Sequence, residues 1–149
     1  DNNIKMSRII KKNRLEFSTS LSTLSLKNVS RLLLDIIDYN IISPIRIDLS
    51  RNNLDSELLF KKVKLNRMRN LENVNLRRIN LNFSIDSLEI DMAKILSLDL
   101  SENLIQYNVS KSIFHPSKLH SLELESTGLC DLDENFNLKY LIYIHFYLS

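Results

Sequence analysis

Two stretches of the chain read almost alike: Ile47-Asp48-Leu49-Ser50-Arg51-Asn52-Asn53-Leu54 and Leu98-Asp99-Leu100-Ser101-Glu102-Asn103-Leu104-Ile105. Each opens on an aliphatic residue, an aspartate, a leucine and a serine. A charged residue and an asparagine follow, with another aliphatic residue two positions later. The first three residues alternate as a strand does when one of its sides faces a core. An asparagine just past such a strand marks a turn, because its side chain can bond backbone groups that would otherwise be buried without partners.

Working outward, the same template recurs: an apolar residue at positions 1, 4, 6 and 11, with Asn, Cys or Thr at position 9. It fits at Leu21-Leu24-Leu26, and at Ile47-Leu49-Asn52-Leu54 with Pro44 in the first slot. It fits again at Leu71-Val74-Leu76-Leu81, at Ile95-Leu98-Leu100-Asn103-Ile105 and at Leu119-Leu122-Leu124-Thr127-Leu129, and a sixth copy begins at Leu141-Ile144-Phe146. The starts at 21, 44, 71, 95, 119 and 141 are 23, 27, 24, 24 and 22 residues apart. A period of this length is the mark of a repeat architecture.

Over residues 21–149 the pattern resembles the leucine-rich-repeat family. That resemblance implies an α/β solenoid with a curved parallel β-sheet on its concave face and helical or irregular returns on its convex side. Residues 1–20 read as a flank or a partial preceding repeat, with a half repeat at residues 4–9. Positions 4 and 6 point to the interior. No repeat can bury its apolar side alone, so stability comes from neighbours. Truncating an interior leucine such as Leu100 or Leu124 to Ala is expected to cost roughly 2–5 kcal/mol. Asn52, Asn103 and Thr127 are the structural residues at position 9. Val29 and Ile79 occupy the same position without polar side chains, which predicts either rebuilt loops or a different local register, and weaker order there. Among the returns, residues 55–68 read as helical with Leu58, Leu59 and Val63 on one flank, as do residues 31–38. The return over 108–118 contains Pro116 and reads as irregular.

Five residues before successive starts stand Tyr39, Asn66, Ile90, Phe114 and Phe136. This resembles the "typical" class of the family, common in extracellular receptors such as the Toll-like group, and the irregular spacing suits receptor ectodomains as well. The chain departs from that pattern in having no Cys-rich caps. It begins without Met or a signal-peptide core, and both ends fall within repeats, so it reads as processed or as a piece of something longer, marginally soluble by itself.

Composition agrees with a folded array: 44% of the 149 residues are hydrophobic and 26% charged. A single Gly leaves left-handed turn positions to other residues, and 17 Asn are available for some of them. Residues 1–94 hold 17 Lys/Arg and 11 Asp/Glu, whereas residues 95–149 hold 3 and 7, so charge changes sign along the molecule. Cys130 is alone, which precludes an internal disulfide. No apolar run approaches the length of a membrane span.

Positions 3, 5 and 7 of each repeat are expected to point outward onto the concave sheet, the usual ligand platform of the family. The anchors chosen there are Arg46, Asp48, Asn75, Arg77, Asp99, Glu123, Glu125, Tyr143 and Tyr147, because Arg and Tyr dominate binding energies and charges fix the partner. The expected partner is another protein or a peptide. No catalytic residue, metal or cofactor is predicted: Gly128 is the only Gly, so no phosphate loop exists, and His115 and His120 have no Cys, Asp or Glu between them. The basic run Lys61-Lys62-Val63-Lys64 with Arg67 and Arg69 reads as a solvated convex helix; the alternative is a patch for an acidic partner or nucleic acid, without the interleaved aromatics that base stacking needs. Sequons at Asn28, Asn82 and Asn108 occur about as often as chance predicts. The functional expectation is a ligand-recognition segment of a larger receptor, extracellular in character. The alternatives are an intracellular adaptor or regulatory subunit, or the recognition part of a larger enzyme.

Overall fold

The computed structural model describes residues 10–11, 14–15, 22–29, 43–54, 59, 63–82, 90–105, 118–127 and 143–145. Near the N-terminus β1 (Ile10–Lys11) and β2 (Arg14–Leu15) pair antiparallel, Ile10 opposite Leu15. The principal element is a parallel sheet of six short strands: β3 (Thr23–Ser25), β4 (Arg46–Asp48), β5 (Asn73–Asn75), β6 (Ser97–Asp99), β7 (Ser121–Glu123) and β8 (Tyr143–His145). Their order in the sheet is their order in the chain. The arrangement is α/β-like, with little helix among the described residues.

Register follows the repeat numbering without a slip. Position 3 pairs with position 3 across the whole sheet, from Thr23↔Arg46 through Arg46↔Asn73, Asn73↔Ser97 and Ser97↔Ser121 to Ser121↔Tyr143. Parallel strands with one buried side lock their register this way, because a one-residue slip would turn every core residue outward. The central residue of each strand from β3 to β7 is buried: Leu24, Ile47, Val74, Leu98 and Leu122. Two residues later Leu26, Leu49, Leu76, Leu100 and Leu124, none more than 1% exposed, line up in the same apolar interior.

Backbone pairing runs well beyond the three-residue strands. At the N-terminal edge, position 2 donates to position 2 of the preceding repeat: Ile45 N–H to the Ser22 carbonyl, Glu72 to Ile45, Leu96 to Glu72 and His120 to Leu96, at 2.7–2.9 Å. Past the strands the direction reverses. Leu26, Leu49, Leu76 and Leu100 donate to Asp48, Asn75, Asp99 and Glu123 of the following repeat, at 2.8–2.9 Å.

The second return differs in part from the predicted helix over 55–68. Leu59 and Val63 are buried as expected. The winding there is wide, with Lys64 N–H donating to the Leu59 carbonyl five residues back at 3.1 Å. Left-handed Lys64 (φ 50°) then breaks it, and a 3₁₀ turn follows at Leu65–Arg67. Leu58, the helix predicted over 31–38, all but Lys118 of the irregular return over 108–118, and the half repeat at 4–9 lie outside the described residues.

Candidate ligand-binding face

The turn after each strand sets the shape of this face. At position 8 of five consecutive repeats the backbone is left-handed: Asn28, Arg51, Arg78, Glu102 and Ser126, all with φ between 52° and 58°. For a residue other than Gly this conformation costs about 1–2 kcal/mol. What it gains is a bond between turns, since Asn28, Arg51, Arg78 and Glu102 donate their N–H groups to the carbonyls of Ser50, Arg77, Ser101 and Glu125. Asparagine takes over from Gly only in part: Asn28 here, and Asn80 (φ 64°) elsewhere.

Position 9 does not break where its sequence does. Asn52, 4% exposed, donates through Nδ2 to the Leu49 carbonyl of its own repeat and to the Leu26 carbonyl of the one before. Its Oδ1 accepts the Val29 N–H at 2.8 Å. Asn103 repeats the pattern, bonding the Leu100 and Leu76 carbonyls and accepting the N–H groups of Ile79 and Leu81, both at 3.1 Å. Each asparagine thus supplies the polar partners that its apolar predecessor lacks. The turns at Val29 and Ile79 stay in register, and Ile79 becomes a fully buried core residue. The turn at Ile79 departs locally: Asn80 is left-handed, and the Leu81 N–H goes to the Asn103 side chain where Leu54 and Ile105 bond a backbone carbonyl of the next repeat. Thr127 is also buried and donates its hydroxyl to the Leu124 carbonyl at 2.9 Å.

The outward face is narrower than predicted. Positions 3 and 5 do lie outside the core, with Arg46 exposed and Asp48, Asn73, Asn75, Ser97, Asp99, Ser121 and Glu123 half-buried. Position 7 is divided. Ser50 and Ser101, expected outward, are buried at 2% and 0%. Position 7 already belongs to the turn, and there the short Ser50 and Ser101 are buried while the longer Lys27, Arg77 and Glu125 keep exposed surface. Asp48 Oδ1 accepts the Ser50 N–H at 2.9 Å, Asn75 Oδ1 accepts that of Arg77 at 3.0 Å, and Asp99 Oδ1 accepts that of Ser101 at 2.9 Å. Three residues chosen as ligand anchors therefore also close their own turns, in the manner of Asx-turns.

Two other anchors are joined to each other. Arg77 Nη2 lies 3.0 Å from Glu125 Oε2, two repeats away. Between them stands Glu102, which sequence reasoning did not single out. It takes Arg77 Nε at 2.8 Å and Nη2 at 2.6 Å, and Arg78 lies 3.7 Å from its other oxygen. The bond to Glu102 raises the Arg77 guanidinium above its ordinary pKa; burial works against this, and the charges of Glu102, Glu125 and Asp99 add to it. The same bond holds the Glu102 carboxyl below its usual range, opposed by burial and reinforced by the charges of Arg77, Arg78 and Arg51. A signal for this cluster was present in the sequence: positions 7, 8 and 7 of three successive repeats must lie side by side at strand spacing.

Of the remaining predicted residues, Tyr143 contributes backbone to β8 opposite Ser121, while Tyr147 and Asn108 lie outside the described residues. Asn28 and Asn82 are exposed. Two shallow hollows flank the sheet. One, of about 380 Å³, lies over the left-handed turns at Arg51, Arg78 and Glu102; the other, of about 400 Å³, lies at the N-terminal edge of the strands. No helix among the described residues is long and apolar enough to cross a membrane. No protein-family model, curated protein or solved structure matches the chain.

Proposed function

We propose that the chain is a leucine-rich-repeat array that recognises another protein or a peptide on the outward face of its parallel sheet, as part of a larger receptor. The observation that carries this reading is the unbroken register. Equivalent positions form continuous rows, Thr23–Arg46–Asn73–Ser97–Ser121 and Ser25–Asp48–Asn75–Asp99–Glu123. Neighbouring members stand about 4.8 Å apart. The rows are polar, and the turns bonded beneath them hold them in place. A face ordered before binding loses little conformational entropy when a partner arrives. The receptor character rests on the family resemblance and on Ile90, which packs against the core where the typical repeat class places a large residue.

The experiment is selection of peptides from a random display library on the immobilised chain, followed by remeasurement on the double variant Asp99→Lys/Glu123→Lys. Both residues are half-buried on the face, so reversal should weaken selected peptides by tenfold or more. If selected peptides bind the double variant unchanged and are lost instead on substitutions away from the sheet, the assignment to this face is wrong.

A further inference from the structure

The hollow at the N-terminal edge of the strands lies apart from the outward rows, and its chemistry differs from theirs. Its floor is apolar. Leu71 is buried at position 1, Leu96 is half-buried at position 2, and Ile45 at position 2 keeps 39% of its surface exposed. Its rim is cationic, with Arg69, Lys94 and Lys118 set against the single lining carboxylate of Glu72. Lys94 is paired with Asp91 at 3.0 Å. Arg69 and Lys118 have no ion-pair partner among the described residues. The opposite edge of the same sheet mixes both signs, with Asp99, Glu102 and Glu125 around Arg77 and with Arg51 and Arg78 beside Glu102.

The geometry restricts what the hollow can hold. The N–H groups of Ile45, Glu72, Leu96 and His120 are all committed to the ladder between repeats. No backbone edge is left there for an added strand, so recognition must come from side chains. From Ile45 beside β4 to Lys118 beside β7 is three strand intervals, about 14 Å. An extended peptide covers that distance with about four or five residues. A volume near 400 Å³ admits one apolar side chain and the backbone around it.

We infer that this groove is a second binding site, for a short acidic peptide segment that seats one aliphatic side chain on the exposed Ile45 and sets its carboxylates against Arg69 and Lys118, clear of Glu72. The site goes beyond the outward face and is independent of it.

Fluorescence anisotropy on the full chain tests this. The probe is a fluorescein-labelled pentapeptide of two glutamates, one leucine and two glutamates. Its counterparts replace the glutamates by glutamine or the leucine by glycine, and single-stranded oligothymidylate serves as a competing polyanion. The acidic probe should bind saturably and weaken with added salt, since exposed charges are screened. Both peptide counterparts should bind at least tenfold less tightly. Arg69→Glu/Lys118→Glu should abolish binding, and Asp99→Lys/Glu123→Lys should leave it within twofold. The inference is overturned by any of three results: no saturable binding of the acidic probe, binding that survives reversal of Arg69 and Lys118, or oligothymidylate binding as tightly as the peptide. Because the two double variants alter different faces, failure here is distinguishable from failure of the outward-face reading.

Discussion

The turn at 100–105 and the turn at 76–81 start on the same backbone course and carry opposite side chains at the decisive place. Both leave their strand on a buried leucine and pass through a left-handed residue, Glu102 in one and Arg78 in the other. The first then buries Asn103 and the second buries Ile79. Buried backbone groups need partners in both turns. In the first, Asn103 of the same repeat serves the Leu100 carbonyl and the Thr127 backbone carbonyl of the next repeat takes the Ile105 N–H; in the second, the Ile79 and Leu81 N–H groups depend on the Asn103 side chain of the repeat that follows. The first and second repeats stand in the same relation, with Val29 served by Asn52. The difference teaches that the unit of polar satisfaction is a pair of repeats, and that an apolar residue at position 9 is permitted wherever the next repeat supplies an amide.

The largest effect should come from breaking that dependence directly. Asn103→Ala strips side-chain partners from the Leu76 and Leu100 carbonyls and from the Ile79 and Leu81 N–H groups. Groups left buried without partners cost about 1–3 kcal/mol each before relaxation, so a total loss of about 3–5 kcal/mol is expected from urea unfolding. The more discriminating readout is native-state hydrogen exchange. The Ile79 and Leu81 amides should lose protection although they lie 22–24 residues upstream of the substitution. Ile79→Ala should cost about 2–4 kcal/mol as a cavity while leaving the bonds from Asn103 in place. If the two amides keep their protection in Asn103→Ala, the pairing of repeats is wrong.

A finer version of the comparison involves Ser50 and Ser101, equivalent serines that are both buried. Ser101 Oγ accepts the Glu125 N–H of the next repeat at 3.2 Å. Ser50 Oγ has no partner among the described residues. The cause lies one repeat further on. The N–H that would reach Ser50 is that of Arg77, and Asn75 has already taken it. In the fifth repeat the position of Asn75 is held by Glu123, whose longer side chain does not suit the two-residue Asx-turn. Ser101→Ala should therefore destabilise by about 1 kcal/mol, whereas Ser50→Ala should be neutral or slightly stabilising, because it removes a buried hydroxyl without a partner. Equal shifts in thermal midpoint for the two variants would refute this explanation.

The register of the sheet was legible in the sequence because it depends on aliphatic spacing, which a linear reading sees directly. Leu26, Leu49, Leu76, Leu100 and Leu124 stand where the template put them. What escaped the reading depends on relations between repeats. Val29 and Ile79 looked like defects because each was judged within its own repeat, while their partners are 23 and 24 residues away. Ser50 and Ser101 were assigned to the outward face because strict alternation was carried one residue too far, into a turn whose left-handed residue no composition rule marks. Arg51, Arg78 and Glu102 are ordinary charged residues held at φ 52–58° by the neighbouring turn. Arg77 and Glu125 were each chosen as free anchors, and their mutual bond through Glu102 becomes visible only when three repeats are laid side by side.

That cluster gives the smallest expected effect, and it too distinguishes the two turns. The fourth turn carries Glu102 where the third carries Arg78, so only the fourth has a carboxylate to titrate at this position. Its folded-state pKa is lowered, from an ordinary value of 4.5, by the hydrogen bond from Arg77. A carboxyl depressed in the folded state contributes stability that is fully present above its unfolded value and is lost as pH falls through the folded one. The contribution must be modest, since Arg77 and Glu102 both keep 30% of their side-chain surface exposed, and ion pairs near the surface yield about 1 kcal/mol or less. The wild-type chain should then lose slightly more stability than Glu102→Gln on acidification below pH 4.5, and the two curves should converge in strong acid. Parallel acid curves for wild type and Glu102→Gln would mean that the bond from Arg77 does not bias the protonation of Glu102 in solution.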